Sequence, residues 1–172
     1  TAAGGPSARK GHSMTHSGER LYVFGGGANG GTKLNDAYSF DMSSSVWRAL
    51  QTSGDRPPSR EGHAAVIIDD RLYVYGGLDR YGYLNDVHAL SLASFRWSQP
   101  RAAGFTPTPR YGMLSVLSSQ SLYVYGGVSR QSATGVQTLN QDLWVMTTHC
   151  AGLTILTTPR ATFASCVLPP SE

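Results

Sequence analysis

The sequence predicts an all-β fold in which one unit of about 50 residues is repeated. A hexapeptide of the form Leu-Tyr-Val-aromatic-Gly-Gly begins at Leu21, Leu72 and Leu122, at offsets of 51 and 50 residues. Its first four residues, with a β-branched valine among them, are typical of a strand buried on both faces. The glycine pair is expected to end that strand in a turn open to positive φ. A period of this length, filled with short strands, is typical of the blades of a β-propeller.

The segments around the hexapeptide repeat in step with it. Each copy is preceded by an arginine with a glycine two residues later, and these arginines are Arg9, Arg60 and Arg110. Each copy is followed by an Asn-containing segment that ends in an aspartate, and these aspartates are Asp36, Asp86 and Asp142. The first two copies continue to Trp47 and Trp97, 50 residues apart, while the third copy has no tryptophan at that place.

Together these residues resemble the kelch-repeat family, and the resemblance covers nearly the whole chain. It implies a kelch-type β-propeller, here a partial ring of about three four-stranded blades followed by the start of a fourth. The resemblance also implies structural roles for the repeated glycines, aspartates and tryptophans, namely Gly25, Gly26, Gly76, Gly77, Gly126, Gly127, Asp36, Asp86, Asp142, Trp47 and Trp97. The aspartates are expected to accept hydrogen bonds from loop amides and so fix the glycine-rich turn.

The first blade, about residues 9–50, is expected to contain four strands. The innermost strand is predicted over residues 12–16 and the second over 20–24. A loop rich in glycine and asparagine follows. The third strand is predicted over 36–40, where side chains alternate in character as on a pleated strand, and the outer strand over 46–50.

The second blade, about residues 60–98, repeats this order. Its strands are predicted over residues 63–68, 71–75, 86–90 and 95–98. The turn between the first two strands is the pair Asp69 and Asp70, which are typical hairpin residues.

The third blade, about residues 110–158, departs from the pattern. Its inner strands are predicted over 113–117 and 121–125, and a long polar loop over 128–138. Its third strand contains Trp144. The best candidate for the outer strand is residues 153–156.

Three blades do not close a ring, because propellers usually contain about 4–8 blades. The end blades would expose large apolar faces, which a soluble monomer rarely tolerates. We therefore interpret residues 1–172 as part of a propeller, half of a six-bladed ring, with a further blade beginning over 159–172. The remaining blades would come from the same chain or from another chain.

Composition limits the class of protein and of partner. Hydrophobic residues make up 40%, enough for a core, and no apolar run reaches the ~18 residues of a membrane helix. The net charge of +3 is modest and no basic-aromatic motif occurs, so neither a membrane nor a nucleic-acid partner is expected. Only two cysteines, Cys150 and Cys166, and no Asn-x-Ser/Thr site are present, which favours an intracellular, cytoplasmic protein.

The sequence contains no convincing catalytic or metal-binding constellation, so no cofactor is expected. His12 and His63 occupy equivalent repeat positions, where the third repeat has Met113, and this favours a structural role. The other histidines have no cysteine or carboxylate partner at metal-ligand spacing. The glycine-rich run 25–31 lacks the Lys-Ser/Thr end of a phosphate loop.

The best candidates for partner binding are the repeated arginines, Arg9, Arg60, Arg110 and Arg160. Each begins an inner strand, so they are expected near the mouth of the central channel, where converging positive charge suits an acidic segment. In kelch substrate adaptors, to which the repeats are similar, an arginine at this place contacts acidic partner segments. The alternative is that these arginines hold the inter-blade loop through backbone carbonyls. Further candidates in the loops after the glycine pair are Arg80, Tyr81, Tyr83, Asn29 and Arg130.

These features predict a non-catalytic protein–protein interaction module, a scaffold or adaptor that binds a partner at its loop face. One alternative is an architectural subunit of a large assembly, such as a cytoskeletal or ciliary one. The other is a propeller enzyme or metal protein, since some kelch-like proteins bind copper or iron, although their ligand patterns have no match here.

Overall fold

The structure is a computed structural model that describes residues 4–104, 106–119, 121–130, 135–149 and 152–157. These residues are almost entirely β-structure, and the only helical segment among them is a short 3-10 turn, Asn29–Gly31. The strands form three larger sheets, one for each repeat, and one small sheet. The predicted fold class, an all-β partial propeller of the kelch type, is confirmed. The further blade expected over 159–172 lies outside the described residues.

The first sheet contains four strands in sequential, antiparallel order. They are β1 Ser13–Ser17, β2 Arg20–Gly27, β3 Lys33–Asp41 and β4 Val46–Ala49. β3 begins three residues earlier than predicted, because the Leu-Asn-Asp segment already pairs with the end of β2.

The second sheet contains five strands, β5 Ser53–Gly54, β6 Ala64–Ile68, β7 Arg71–Leu78, β8 Tyr83–Ser91 and β9 Arg96–Ser98. Their spatial order is β5-β9-β8-β7-β6. The antiparallel strands β6 to β9 correspond to the four predicted strands of this repeat.

The third sheet also contains five strands, with the crossover strand at one edge and the inner strand at the other, as in the second sheet. Its strands are β10 Ala102–Gly104, β12 Leu114–Ser118, β13 Ser121–Tyr125, β16 Leu143–His149 and β17 Gly152–Thr157. The outer strand β17 includes the residues that the sequence suggested, 153–156.

A small sheet replaces the long loop expected over 128–138. Its strands are β11 Arg110–Tyr111, β14 Val128–Arg130 and β15 Gln137–Leu139. β14 and β15 form an antiparallel hairpin, and β11 pairs with β14. The first two repeats show the same arrangement only as single bridges, Lys10 with Gly27 and Glu61 with Leu78.

Two of the larger sheets contain one strand more than the four that were expected. The extra strand comes from the crossover that enters each repeat. Ser53 lies parallel and opposite to Arg96, and Gly54 opposite to Trp97, while β10 pairs with β17 in the same way. The crossover therefore covers the outer edge of the sheet, where an unpaired edge strand would otherwise expose its backbone donors and acceptors.

The glycine pair produces a β-bulge in the first two repeats, whereas the sequence suggested that it would end the strand. The register of β2 shifts between Phe24 and Gly26, and that of β7 between Tyr75 and Gly77. Gly77 has a φ of 103°, and a Cβ atom placed on it would lie 2.9 Å from the carbonyl oxygen of Glu61. The second glycine is therefore needed for both its backbone conformation and the close approach of a neighbouring chain segment.

The core lies between the sheets, and the second sheet is covered on both sides. One cluster joins it to the first sheet, where the indole ring of Trp97 lies 5.1 Å from the ring of Phe24. The other joins it to the third sheet, where Tyr75 packs with Leu122 and Trp144. Trp47 is less buried than Trp97. Its ring packs on Phe40 of its own sheet, and the two ring centroids lie 4.9 Å apart.

The close packing at Gly77 gives a stability prediction. We expect Gly77→Ala to lower the free energy of unfolding by ~1–3 kcal/mol, because the added methyl group meets backbone atoms at an unfavourable φ. Urea unfolding followed by circular dichroism measures this change. Gly18→Ala is the matched control, since Gly18 has a φ of 55° with no atom within 4 Å of the added Cβ. An equal loss in both variants would show that the backbone conformation alone is responsible.

Candidate functional site

An arginine clamp organises each repeat, and it is clearest at Arg60. The side chain of Arg60 is buried and its Nη1 and Nη2 atoms donate to Oδ1 and Oδ2 of Asp86, both at 2.7 Å. Nη1 also donates to the carbonyl oxygen of Gly76 at 2.9 Å, and Nε to that of Pro58 at 3.1 Å. One guanidinium group thus joins the crossover, the glycine bulge and the third strand. Such bidentate pairing suits the planar fork of arginine.

The same clamp occurs in the other two repeats. Its members in the first repeat are Arg9, Ser7, Gly25 and Asp36. Its members in the third repeat are Arg110, Thr108, Gly126 and Asp142. The donor that the three aspartates share is therefore a guanidinium group, whereas the sequence suggested loop amides.

Electrostatics strengthen the clamp of the second repeat. Burial alone would raise the pKa of the Asp86 carboxyl group, but hydrogen bonds from Arg60 and His88 and their positive charges hold that pKa well below its usual range. The pKa of Asp142 is also lowered: desolvation opposes the shift, and the hydrogen bonds from Arg110 and Trp144 outweigh it. Both carboxyl groups are therefore ionised at neutral pH and available to their arginines.

The residue two positions after each aspartate also contacts the clamp. His88 Nε2 lies 3.0 Å from Asp86 Oδ2, and Trp144 Nε1 donates to Asp142 Oδ2 at 2.5 Å. In the first repeat the guanidinium carbon of Arg9 lies 5.5 Å from the ring centroid of Tyr38. A histidine, an indole and a phenol ring thus occupy one structural position in three repeats.

These contacts bear on the predicted role of the repeated arginines. The side chains of Arg9, Arg60 and Arg110 are nearly inaccessible, and their donors are directed to groups of this chain. This is the arrangement of the alternative described above, in which the arginines hold the loop through backbone carbonyls. Partner binding by these three arginines stays a prediction, and the contacts weigh against it. Arg160, the fourth candidate, lies outside the described residues.

The loops after the glycine pairs lie side by side on one face of the chain, which we call the loop face. A groove of about 750 Å³ separates the first loop from the second and is lined by Lys33, Asn35, Arg80 and Tyr81, among others. A groove of about 660 Å³ follows between the second loop and the third-repeat hairpin, lined by Tyr81, Tyr83, Tyr111, Arg130 and Gln137, among others. The structure thus brings together four loop candidates, Arg80, Tyr81, Tyr83 and Arg130.

The fifth loop candidate, Asn29, stands apart from those four. It is exposed in the 3-10 turn of the first loop. It lines a smaller groove of about 420 Å³ with Lys10, Lys33 and Glu61.

The tip of the second loop is fixed by its own backbone contacts. Asp79 Oδ1 accepts hydrogen bonds from the backbone N–H groups of Tyr81 at 2.7 Å and Gly82 at 2.8 Å. This turn presents Arg80 and Tyr81 to solvent, with the guanidinium carbon of Arg80 4.4 Å from the ring centroid of Tyr81. A cation packed on an aromatic ring in this way forms a preorganised pair.

Two residue pairs that link adjacent repeats were not identified from the sequence. Lys33 Nζ lies 2.5 Å from Glu61 Oε1 between the first and second repeats. The rings of Tyr83 and Tyr111 lie 5.1 Å apart at the matching place between the second and third repeats. Both pairs are separated by 28 residues, a spacing that alignment of the repeats would have revealed. Tyr83 also accepts a hydrogen bond from Gln137 Nε2 at 2.9 Å, so its ring and its hydroxyl group both have partners.

His63 has a structural environment. It is buried between two sheets, with its ring 5.3 Å from that of Phe24 and its Nε2 2.9 Å from Ser13 Oγ. Burial, together with the positive charges of Arg60 and His12, lowers the pKa of His63 to about 3. The ring is therefore neutral at physiological pH.

Neither a metal cluster nor a membrane-spanning helix is found in the part of the chain that the structure describes. Among these residues no group of three or more His, Cys, Asp or Glu side chains is placed to hold a metal ion. Likewise, no helix there is long and apolar enough to cross a membrane.

Repeated sheets, each held together by an arginine clamp and packed on one another through apolar side chains, with their loops gathered on one face, define a repeat protein of the β-propeller class. A family model described as the KLHDC2/KLHL20/DRC7 Kelch-repeats domain matches residues 1–166. The chain belongs to the kelch-repeat family.

Three curated proteins illustrate the similarity. The leucine-zipper-like transcriptional regulator 1 homolog of Drosophila melanogaster is 43% identical over 74 residues, 42% of this chain and 8% of that protein. The tRNA wybutosine-synthesizing protein 2/3/4 of Oryza sativa subsp. japonica is 39% identical over 79 residues, 46% of this chain and 8% of that protein. The human Rab9 effector protein with kelch motifs is 37% identical over 81 residues, 44% of this chain and 22% of that protein. The matches thus span less than a quarter of each relative's length.

The clamp gives a prediction that separates buried from exposed ion pairs. We expect Asp86→Asn to destabilise the chain by ~3–5 kcal/mol, because it leaves the buried Arg60 guanidinium group without its counter-charge. Chemical unfolding at neutral pH measures the loss. Asp41→Asn is the matched control, since Asp41 pairs with Arg20 at 3.5 Å near the surface, and exposed pairs contribute little. Similar stabilities for the two variants would contradict the clamp's importance.

The buried His63 gives a pH prediction. Because its pKa is lowered on folding, protonation favours the unfolded chain as the pH falls below the unfolded value near 6.5. This loss amounts to on the order of 1 kcal/mol per pH unit until the folded pKa is reached. We expect His63→Met, which installs the residue of the third repeat, to remove this part of the pH dependence. Unfolding free energies of both proteins between pH 7 and about 5 provide the test, and parallel curves would refute the assignment.

Proposed function

We propose that this chain is a non-catalytic protein-interaction module that binds a partner at its loop face. The observation that carries this proposal is the pair of adjacent grooves around Tyr81, with Arg80 and Arg130 exposed beside them. Arginine and tyrosine are the residue types most often found to dominate binding at interfaces. Support also comes from the name of one relative, an effector with kelch motifs.

The partner that we propose is an acidic segment. Arg80 lines the first groove and Arg130 the second, and both side chains are exposed, while the nearby Asp79 carboxylate accepts two backbone N–H groups. The Lys33 and Glu61 charges compensate each other across the first groove. Around the two grooves together, the Arg80 and Arg130 guanidinium groups outnumber the Asp79 carboxylate. The resulting small positive balance favours aspartate or glutamate side chains of a partner.

The contacts of the buried polar groups support the absence of catalysis in this proposal. The three repeated aspartates pair with arginines, and His63 is buried and neutral. Each of these groups has a structural task between strands or sheets. One relative is named as a synthesising protein, but the match covers 8% of it, so that activity is not transferred here.

The proposal also covers the cellular compartment of the protein and the completion of its ring of sheets. We propose an intracellular, cytoplasmic protein, on the basis of the low cysteine content. We also propose that the end sheets are covered by further blades, because each now has one apolar face without a neighbouring sheet among the described residues.

A peptide-display library panned on the purified chain tests the function. We expect the enriched peptides to be rich in Asp and Glu, and fluorescence polarisation with one such peptide to give its affinity. Arg80→Ala and Arg130→Ala should each weaken binding about tenfold to hundredfold, which corresponds to ~1–3 kcal/mol.

The matched control is Arg96→Ala, which removes the same charge from an exposed position of the outer strand β9. It should leave the affinity unchanged, and circular dichroism confirms that all variants are folded. Enrichment of peptides without acidic residues would overturn the acidic partner. Equal losses in Arg96→Ala and Arg80→Ala would overturn the loop face as the binding site.

A further inference from the structure

The tip of the second loop presents a tyrosine side chain that the fold leaves open. Tyr81 is 80% exposed, the largest value among the nine tyrosines of the chain, all of which the structure describes. Tyr83, two residues further along, is half-buried, with its ring against Tyr111 and its hydroxyl group bonded to Gln137. Of the two tyrosines in this loop, Tyr81 is therefore the one that a modifying enzyme can reach.

The backbone around Tyr81 is held in a fixed turn between the two grooves. Asp79 Oδ1 accepts from the backbone N–H groups of Tyr81 and Gly82, and the Asp79 N–H group donates to the Gly82 carbonyl oxygen at 3.0 Å. Tyr81 lines both the first and the second groove of the loop face. A change at this one side chain therefore alters both grooves.

A guanidinium group already lies beside the Tyr81 hydroxyl group. The guanidinium carbon of Arg80 is 4.4 Å from the ring centroid, and its Nη2 atom contacts the hydroxyl oxygen. Phosphorylation would add a charge of about −1.5 to −2 and three strong acceptor oxygens at this position. The planar fork of one guanidinium group can donate to two phosphate oxygens at once. The loop tip thus places a phosphate-binding group next to the atom that would be modified.

The charges around the grooves determine what a phosphate group would do there. Arg80 and Arg130 carry positive charge, and Asp79 carries one negative charge. The Lys33 and Glu61 charges compensate each other. A phosphate group with a charge of about −1.5 to −2 would exceed the small positive balance that remains. It would also occupy the donors of Arg80, so an acidic segment would be repelled where the unmodified chain attracts it.

We propose that Tyr81 is a phosphorylation site whose phosphate group pairs with Arg80 and prevents an acidic segment from binding at the loop face. The effect on binding rests on the proposed function. The reaction is a phosphoryl transfer from ATP, catalysed by a protein tyrosine kinase. The bond between the γ-phosphorus and the bridging oxygen of ATP breaks, and a bond from the γ-phosphorus to Tyr81 Oη forms. ADP leaves, and the hydroxyl proton passes to the catalytic base of the kinase.

Labelling of the folded chain tests the site. The purified chain is incubated with ATP and a tyrosine kinase domain of broad sequence tolerance, and the modified residues are identified by mass spectrometry. We expect Tyr81 to be modified in preference to Tyr83. Tyr81→Phe should lose most of the label, whereas the matched control Tyr83→Phe should retain it. No modification of Tyr81, or equal modification of both tyrosines, overturns the site.

A synthetic peptide of residues 77–86 separates the effect of the fold from that of the local sequence. It contains Tyr81 and Tyr83 in their own sequence but without the contacts of the folded chain. We expect the preference for Tyr81 to disappear in this peptide. The same preference in the peptide would overturn exposure in the fold as its cause.

The contact between the phosphate group and Arg80 has a readout that needs no partner. Phosphorus-31 NMR of the phosphorylated chain follows the second ionisation of the phosphate group as the pH is raised. A neighbouring guanidinium group favours the doubly charged form, so we expect the pKa of the phosphate to lie below its ordinary value. Arg80→Ala should raise this pKa, whereas Arg96→Ala on the outer strand β9 should leave it unchanged. An equal pKa with and without Arg80 overturns the contact.

Binding of the acidic peptide selected by display measures the effect on the loop face. We expect fluorescence polarisation to show an affinity at least about tenfold weaker for the phosphorylated chain, and phosphatase treatment to restore it. Circular dichroism before and after phosphorylation confirms that the fold is retained. An unchanged or higher affinity of the phosphorylated chain overturns the effect on binding.

The unmodified chain distinguishes a failure of this proposal from a failure of the proposed function. If it binds no acidic peptide, the proposed function fails, and the effect of phosphorylation on binding fails with it. The labelling and phosphorus measurements use no partner. They therefore decide the modification site and its contact with Arg80 in either case.

Discussion

The bidentate pairing of a buried arginine with an aspartate is the interaction on which this structure depends. A guanidinium group removed from water is costly unless every donor finds an acceptor. The clamp meets that requirement with a carboxylate from the third strand, a carbonyl oxygen from the glycine bulge and another from the crossover. The position of each strand relative to the others is thereby set by one planar group. The loop that follows the glycine pair starts beside the clamp, so the position of its first residues is set by the same contacts.

The same scaffold tolerates different chemistry between its repeats. Between the first and second repeats the link is the ion pair of Lys33 with Glu61. At the same place between the second and third repeats it is the tilted aromatic contact of Tyr83 with Tyr111. Burial of apolar side chains between sheets supplies the general stabilisation. The residues near the loop face are therefore free to differ, which is where the grooves lie and where Arg80 and Tyr81 are held by the turn at Asp79.

Sequence reasoning predicted the features that follow from periodicity and missed those that follow from close approach. The strands around Leu21, Leu72 and Leu122 could be placed because a repeated apolar segment needs two covered faces. The bulge at Gly77 could not, since an extended strand and a bulged one have the same side-chain pattern until the partner's register is known.

The candidate site was predictable only in part, for a similar reason. Loop residues such as Arg80 were placed by their position after the glycine pair. The burial of Arg60 could not be inferred, because arginine is usually a surface residue and its partner Asp86 lies 26 residues away. The short crossover strands also escaped prediction, since segments such as Ser53–Gly54 contain no alternation of side chains.

The crossover strand changes what counts as one unit of this protein. Because Ser53–Gly54 completes the edge of the sheet that follows it, a complete module starts ahead of Ser53 and ends at Ser98, rather than starting at Arg60. Recombination or domain-shuffling at the start of the inner strand would separate a sheet from its own edge and join it to a foreign one. A transplanted repeat would therefore have to include the crossover in its coding segment, because the crossover strand pairs with the outer strand of that repeat.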